Sequence, residues 1–248
     1  DVYKRQTYYY ATDSSIRVTT CPNGGRITGC RMYDWGPNSG DYLNRSITLN
    51  DATTDNVIIE GCHFVNVNQA VVVNGGYRNV ITGCVFDGVE DNCLYYLGSA
   101  EGIVFNGNTV RNGNDESIVI IGNNTSITGN NFYDASNKSI AIGGSCKNLV
   151  ISGNIFDNYT ADTGSFIAWR SATYTVTGFV VANNSFSNVS QDTSPHSIYV
   201  YVGNVDDMVF VNNRFNVAAA SGQYIIKLDG ATITRGAIRG NNFHTDTS

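Results

Sequence analysis

The chain has 248 residues, and 15 lysines and arginines against 21 aspartates and glutamates give it a formal net charge of -6. An acidic chain lacks the general basic surface that nucleic acid and anionic membranes attract, so we predict neither as a partner. An anionic polysaccharide stays compatible with this composition, because a local basic patch can bind one. No apolar run in the sequence is long enough to cross a bilayer.

The first six residues, 1–6, read DVYKRQ and resemble the translated end of a transposon used in sequencing libraries. We therefore exclude them as a non-native artefact and expect a metagenomic origin. The last five residues, 244–248, follow directly after a repeat, without the capping segment that solenoids need. We therefore interpret residues 7–248 as one domain and as an interior fragment of a longer protein, truncated at one or both ends.

A six-residue motif recurs nine times between Ile27 and Phe243. It has an apolar residue, any residue, Gly or Asn, then Asn or Cys, any residue, and an apolar residue that is usually Phe. Its third positions are Gly29, Gly61, Gly83, Gly107, Gly129, Gly153, Asn183, Asn212 and Gly240. These positions are separated by 22 to 32 residues. A period in this range, built from short β-type runs, predicts a solenoid.

Each repeat contains two predicted strands, one before the Gly position, such as residues 56–59, and one farther along, such as residues 70–73. From Ile16 onward the pattern resembles a single-stranded right-handed parallel β-helix, an all-β fold, here with about nine turns. Successive turns of such a helix lie about 4.8 Å apart, so equivalent residues form columns along the axis.

The columns explain the motif residues. We expect the Phe column to fill the interior and the Asn column, from Asn108 to Asn241, to lie at an inward bend. There each amide can bond to its neighbours above and below, and Asn tolerates a left-handed backbone. Cys30, Cys62 and Cys84 take the Asn position in the first repeats. The spacing of columns is too long for disulfides, so we predict buried free thiols there.

The loops before three consecutive second strands supply the candidate catalytic residues. We align them on the first inward-facing residue of each strand, namely Leu94, Ile118 and Ile140. This register predicts Asp91 and Asp115 on adjacent rungs and Glu116 opposite Lys138. Two neighbouring carboxylates could supply the acid and nucleophile of glycoside cleavage, while Lys138 could bind a uronate carboxylate or act as a base for β-elimination.

Two other interpretations of these loops stay open. Asp91 and Asp115 could hold Ca²⁺ together with amide oxygens of Asn68, Asn92 and Asn114, although no other cofactor is expected. Alternatively, these are ordinary turn residues, and Glu116 with Lys138 forms a surface ion pair that contributes little.

Outward positions of the second strands farther along the chain form a candidate substrate-binding patch. Its members are Tyr95, Arg170, Tyr199, Tyr201 and Lys227. Aromatic rings with polar tips suit sugar faces or a protein partner. We add His196, which we expect in a long loop that overhangs this face.

Nearer the N-terminus, the same outward face is apolar. Its residues are Val72, Leu97, Val119, Ile121 and Ala141. Such a strip should not face water in a monomer, so we expect a homotrimer partner or missing parts of the chain to cover it.

The repeat resembles the pectate-lyase-like superfamily, which includes polysaccharide lyases, glycoside hydrolases and phage tailspikes. The resemblance implies a polysaccharide partner and a location outside the cell, either secreted or on a phage virion surface. The catalytic motifs of polygalacturonases and pectate lyases are absent, so no family residue is transferred. The resemblance, together with the candidate carboxylates, implies a lyase or hydrolase that acts on an acidic glycan. The alternative is a non-catalytic tailspike shaft or adhesin that binds surface glycans.

Overall fold

A computed structural model describes residues 2–4, 7–9, 14–33, 45–97, 100–159, 165–171, 173–189, 196–201, 203–216 and 224–244. The described residues form β-strands and turns, and none of them lies in a helix that could span a membrane. The strands form three sheets of eleven, ten and nine strands, and neighbouring strands within each sheet run parallel. The all-β parallel solenoid predicted from the sequence is confirmed.

We number the strands β1 to β30 in chain order and call the three sheets A, B and C. Sheet A comprises β1 (Val2–Lys4), β4 (Gly25–Thr28), β7 (Val57–Glu60), β10 (Val80–Thr82), β13 (Val104–Asn106), β16 (Ser126–Thr128), β19 (Cys146–Ser152), β22 (Thr175–Ala182), β25 (Asn204–Val211), β28 (Thr232–Ile233) and β29 (Gly236–Arg239). Sheet B comprises β2 (Thr7–Tyr9), β5 (Arg31–Tyr33), β8 (His63–Val65), β11 (Val85–Asp87), β14 (Thr109–Arg111), β17 (Asn131–Ala135), β20 (Ile155–Tyr159), β23 (Ser185–Val189), β26 (Arg214–Asn216) and β30 (Asn242–His244). Sheet C comprises β3 (Ser14–Val18), β6 (Arg45–Leu49), β9 (Gln69–Asn74), β12 (Leu94–Leu97), β15 (Ile118–Ile120), β18 (Lys138–Ile142), β21 (Ser165–Trp169), β24 (His196–Tyr201) and β27 (Ile226–Asp229).

Each turn has three strands, so the expectation of two strands per turn is wrong. The additional strands are those of sheet B, which carry the Phe column. Most of them have only three residues and directly follow the Gly bend, so their sequence does not distinguish them from the bend.

The Phe column forms a continuous stack inside the solenoid. Phe132 and Phe156 have ring centroids 4.9 Å apart, and the Phe156–Phe186 and Phe186–Phe215 pairs are each 4.8 Å apart. These separations equal the rise between rungs, so the rings stack because the strands are in register. The interior therefore favours one register over slipped alternatives.

A ladder of buried asparagine side chains turns the chain from sheet A into sheet B. Its rungs are Asn108, Asn130, Asn154, Asn184, Asn213 and Asn241. The Asn154 amide donates to the backbone oxygen of Ile127 at 2.9 Å and to Asn184 Oδ1 at 3.0 Å. Its own Oδ1 accepts from the backbone N–H of Asn130 at 2.9 Å. The ladder thus pairs polar groups that no water can reach.

The left-handed backbone falls one residue earlier than predicted. Gly129 has a φ of 63°, and Asn183, which replaces Gly in its repeat, has a φ of 56°. The ladder asparagines do not have a positive φ. Gly and Asn share this preceding position because they enter the left-handed region at least cost.

Cys30, Cys62 and Cys84 lie buried at the ladder position, and all six cysteines are free thiols. The Cys62 and Cys84 thiols contact the backbone oxygens of Glu60 and Thr82 at 3.5 Å and 3.4 Å. The buried-thiol prediction is confirmed. A thiol fills the column but cannot donate two hydrogen bonds as an amide can.

The ladder gives a direct stability prediction. Replacing Asn154 with Ala leaves the Asn130 N–H and the Ile127 carbonyl unpaired in the core, so we expect a loss of about 2–4 kcal/mol in the free energy of unfolding. Urea unfolding of N154A against the wild type measures this loss. The control is N183G, at an exposed residue that already has a left-handed φ. It should change stability by less than about 1 kcal/mol, and equal losses in the two variants would contradict the ladder's role.

Candidate functional site

The strand register of sheet C brings the predicted carboxylates to neighbouring rungs. Leu94 pairs with Ile118, and Ile118 pairs with Ile140, as the alignment of the loops assumed. The register continues into the preceding loops, where the N–H of Asn114 donates to the oxygen of Val89 at 3.1 Å. Asp91 and Asp115 therefore lie one rung apart.

Asp91 and Asp115 each accept a short hydrogen bond from an amide on the neighbouring rung. The Gln69 amide donates to Asp91 Oδ2 at 2.6 Å, and the Asn137 amide donates to Asp115 Oδ1 at 2.6 Å. Arg45 Nε in turn donates to Gln69 Oε1 at 3.2 Å, so Arg45 orients the amide that holds Asp91. These contacts fix the direction of both carboxylates.

Glu116 is the centre of a partly buried ion network. Its side chain is only 6% exposed and faces Lys138, whose Nζ lies 2.9 Å from Oε1. Arg170 pairs with the other carboxylate oxygen through Nε and a terminal nitrogen. Glu116 does lie opposite Lys138, as the register predicted. The pair is not an ordinary surface ion pair, because Glu116 is buried and Arg170 joins it.

Arg170 crosses the outward face of sheet C. It follows the end of β21, whereas Glu116 precedes β15 two rungs away, so its side chain must run diagonally over the middle of the strands between them. Its guanidinium carbon also lies 6.0 Å from the centroid of the Tyr95 ring. Arg170 thus joins the carboxylate region to the aromatic patch.

The prediction that an apolar strip is exposed on this face is wrong for three of its residues. Val72, Val119 and Ala141 are each 0% exposed in the single chain, and Ile121 is partly buried. These three residues are therefore covered within the chain itself. The side chain of Leu97 lies outside the described residues. The strip therefore gives no reason for a homotrimer.

Two of the three carboxyl groups on this face, Asp91 and Glu116, have pKa values shifted in opposite directions. Burial raises the pKa of Asp91, the Gln69 hydrogen bond opposes this rise, and the nearby charge of Asp115 adds to it. Burial also acts to raise the pKa of Glu116, but the hydrogen bonds from Arg170 and Lys138 outweigh it and hold the pKa below its usual value. One carboxyl group is thus biased toward the protonated form and the other toward the ionised form.

Lys138 donates two hydrogen bonds to its neighbours. Its ammonium donates to Glu116 at 2.9 Å and to Asn137 Oδ1 at 3.2 Å. In this geometry Lys138 serves the ion network, and a role as the base of an elimination would require both contacts to break.

The aromatic part of the patch is held by cations. Lys227 Nζ lies 4.8 Å from the ring centroid of Tyr199, and the Tyr199 hydroxyl donates to Asp229 Oδ2 at 3.2 Å. Tyr95 is half-buried under Arg170. The side chain of Tyr201 lies outside the described residues.

His196 differs from its predicted place. It is the first residue of β24 and is 5% exposed, so it does not belong to an overhanging loop. Its Nδ1 accepts from the backbone N–H of Tyr224 at 3.3 Å, and its ring lies 5.2 Å from that of Tyr199. It pairs in register with Ser165, which pairs with Lys138, so His196 continues the same column two rungs farther on.

Arg45 belongs to this site but was not predicted from the sequence. Arg45 begins β6, a strand that the repeat pattern did not identify. Its position 24 residues before Gln69 matches the repeat and was the available signal.

Calcium would find few free oxygens here. Among the described residues, no group of three or more His, Cys, Asp or Glu side chains could hold a metal. Asp91 and Asp115 already accept amide hydrogen bonds, and the Asn92 amide donates to the Glu116 backbone oxygen at 2.6 Å. Asn68 Oδ1 is buried without a hydrogen bond, but one such atom does not make a calcium site.

Comparison with known proteins defines the class of this fold. Residues 5–156 match the family model described as "Right handed beta helix region". Because the match covers more than half of the chain, the chain belongs to this right-handed β-helix family. The handedness predicted from the sequence is confirmed. No curated protein sequence matches the chain significantly.

Solved structures agree with this assignment. Two variants of the tailspike protein of E. coli bacteriophage HK620, each in complex with a pentasaccharide, align with TM-scores of 0.58 and 0.57 at 18% and 17% identity. A third variant, also with a pentasaccharide, has a TM-score of 0.53 at 17% identity. Each alignment covers 88% of this chain but only 42% of the tailspike chain. At this identity the likeness shows the fold alone.

The ion network predicts a pH-dependent stability. Above pH 4.5, the usual pKa of the group, Glu116 is ionised whether the chain is folded or unfolded, and its native ion pairs contribute their full stability. This contribution falls as the pH drops through the lower folded pKa. We expect E116Q to lose about 1–3 kcal/mol at pH 7 and progressively less as the pH falls below 4.5, measured by urea unfolding.

The control is E60Q. Glu60 pairs with Arg26 at 2.8 Å, but both side chains are about half exposed. Its loss should cost less than about 1 kcal/mol. An E116Q effect that does not depend on pH would contradict the network's electrostatic role.

Proposed function

We propose that the outward face of sheet C binds a polysaccharide and that Asp91 and Asp115 cleave a glycosidic bond in it. The observation that carries the proposal is the raised pKa of Asp91 one rung from a second carboxylate. A carboxyl group whose pKa is raised is typical of the acid in a pair of catalytic carboxyl groups. The solved tailspike complexes with oligosaccharides support the class of ligand.

The proposed reaction is hydrolysis with retention. Asp91 donates its proton to the glycosidic oxygen while an oxygen of Asp115 attacks the anomeric carbon, which breaks the carbon–oxygen bond. Water then displaces Asp115, and Asp91 takes the proton from that water. The rung spacing of about 4.8 Å is close to the separation of about 5–5.5 Å that retaining enzymes use.

Hydrolysis suits these residues better than β-elimination. An eliminating lyase needs a base, and Lys138, the candidate, donates hydrogen bonds to Glu116 and Asn137. We assign Glu116 a positioning role, because both of its oxygens bind the cations of Lys138 and Arg170. The three groups together carry one net positive charge, which favours an acidic glycan.

The remaining candidate residues would bind substrate. Tyr95 and Tyr199 present half-buried rings suited to sugar faces, Arg170 lies between them and the carboxylates, and His196 closes the far end of the column. Tyr201 stays a candidate on its position in β24. The reaction does not use Ca²⁺. We expect the whole protein to act outside the cell or on a phage virion.

One observation favours a second function. The carboxylate of Glu116 is paired with Lys138 and Arg170, and the ring of Tyr199 lies against Lys227. Side chains held in this way are expected of a rigid surface that binds a glycan without reacting with it. On this alternative, the chain is a glycan-binding tailspike shaft or adhesin. A homotrimer would then need contacts other than the buried apolar strip.

Activity on uronate-rich polymers tests the proposal. We expect the wild type to release reducing ends from polygalacturonate, alginate or hyaluronan without unsaturated products. D91N and D115N should each lower this rate by about 100-fold or more. The control is D87N on sheet B, where Asp87 pairs with Arg111, and it should leave the rate unchanged.

Unsaturated products would contradict hydrolysis. No release from any polymer would contradict catalysis and support the non-catalytic alternative. Release unchanged in D115N would contradict the assignment of Asp115 as the nucleophile.

A further inference from the structure

A cleft lies at the corner where the chain leaves sheet C and enters sheet A, away from the carboxylates described above. It has a volume of about 410 Å³. Its lining residues are Asp55, Tyr77, Arg78, Glu101, Gly102 and Asn124. We propose that this corner cleft is an additional binding site for one acidic sugar residue of a glycan. This proposal rests on the proposed function, because it assumes the same class of ligand. The corner cleft shares no residue with the cleavage site.

The shape of the cleft comes from a gap in one column. Asn56, Arg78, Gly102 and Asn124 occupy successive rungs, because each backbone N–H donates to the next rung in the same way. All four have a left-handed backbone. Gly102 lacks a side chain, so a notch opens between Arg78 and Asn124, two rungs or about 9.6 Å apart.

Arg78 supplies a positively charged group that can bind a ligand. Its side chain is exposed, and within the described part of the chain its guanidinium makes no hydrogen bond or ion pair. The other described arginines near acidic groups, such as Arg26 and Arg111, do form ion pairs. A guanidinium recognises a carboxylate through two parallel hydrogen bonds, so a uronate is a suitable ligand.

Tyr77 supplies the surface for a sugar ring. Its side chain is 44% exposed, and its backbone N–H donates to Asp55 Oδ1 at 2.8 Å, which fixes its position. On the next rung, Glu101 accepts from the Asn124 amide at 2.7 Å, leaving its second oxygen for a sugar hydroxyl. The cleft thus has one aromatic face, two carboxylates and one cation. The carboxylate of an acidic sugar would bind Arg78, and its hydroxyls would donate to Glu101.

The experiment is a ¹H–¹⁵N NMR titration with tetragalacturonate, with cellotetraose as the neutral probe. We expect the amide signals of Arg78 and Gly102 to shift and saturate with tetragalacturonate. R78N should weaken this binding by about tenfold or more, because one charge-assisted contact is lost. Asn at this position is compatible with the backbone, since Asn56 and Asn124 have the same φ.

G102N fills the notch and should weaken corner binding by about tenfold. A Cβ there would come no closer than 3.4 Å to Arg78, so the fold tolerates it. G178N, in the same column but outside the cleft, is the matched control and should leave binding unchanged. Cleavage by G102N and corner binding by D91N should both match the wild type, which separates this site from the proposed catalytic one.

Absence of shifts at Arg78 and Gly102 would overturn the proposal. Equal affinity for cellotetraose would overturn the assignment to an acidic sugar, and wild-type affinity in G102N would overturn the notch as the binding site.

Discussion

The whole molecule depends on the in-register stacking of its turns. The asparagine ladder enforces this register, because each buried amide must meet both a backbone carbonyl and the next amide, and a slipped turn would leave several polar groups unpaired. The stacked Phe rings add a second constraint with the same spacing. Loop residues far apart in sequence, such as Asp91 and Asp115, become neighbours only because this register holds.

The same face of sheet C produces two different carboxyl groups. Glu116 is buried yet ionised, because two cations reach it, one from the next rung and one from two rungs away. Asp91 is also partly buried but has only a neutral amide as its partner, so burial and the charge of Asp115 raise its pKa. The difference arises from which side chains the register supplies to each position, and the raised pKa of Asp91 is what suits the role of an acid.

The repeat period made much of the fold and part of the site predictable. Once Leu94, Ile118 and Ile140 were aligned, the placement of Asp91 near Asp115 and of Glu116 opposite Lys138 followed from strand pairing alone. The link to Arg170 did not follow, because a long side chain that crosses two rungs has no signature in the repeat. The outward valines looked exposed in sequence but are buried in the fold.

The other differences between the predicted and the observed structure have local causes. The strands of sheet B were overlooked because three residues after a tight bend carry too little periodicity to indicate a strand. His196 was expected in a loop, since the polar residues before it hide the start of β24. Arg45 was missed for a similar reason, because the run before β6 does not resemble the other loops.

The most direct test of this account measures the stacking itself. In a nuclear Overhauser experiment on the labelled chain, the side-chain amide protons of Asn130 should show cross-peaks to those of Asn154, and those of Asn154 to those of Asn184. These protons should also exchange slowly with solvent, because the ladder is buried. Rapid exchange, or cross-peaks that join other rungs, would contradict the register from which the site is built.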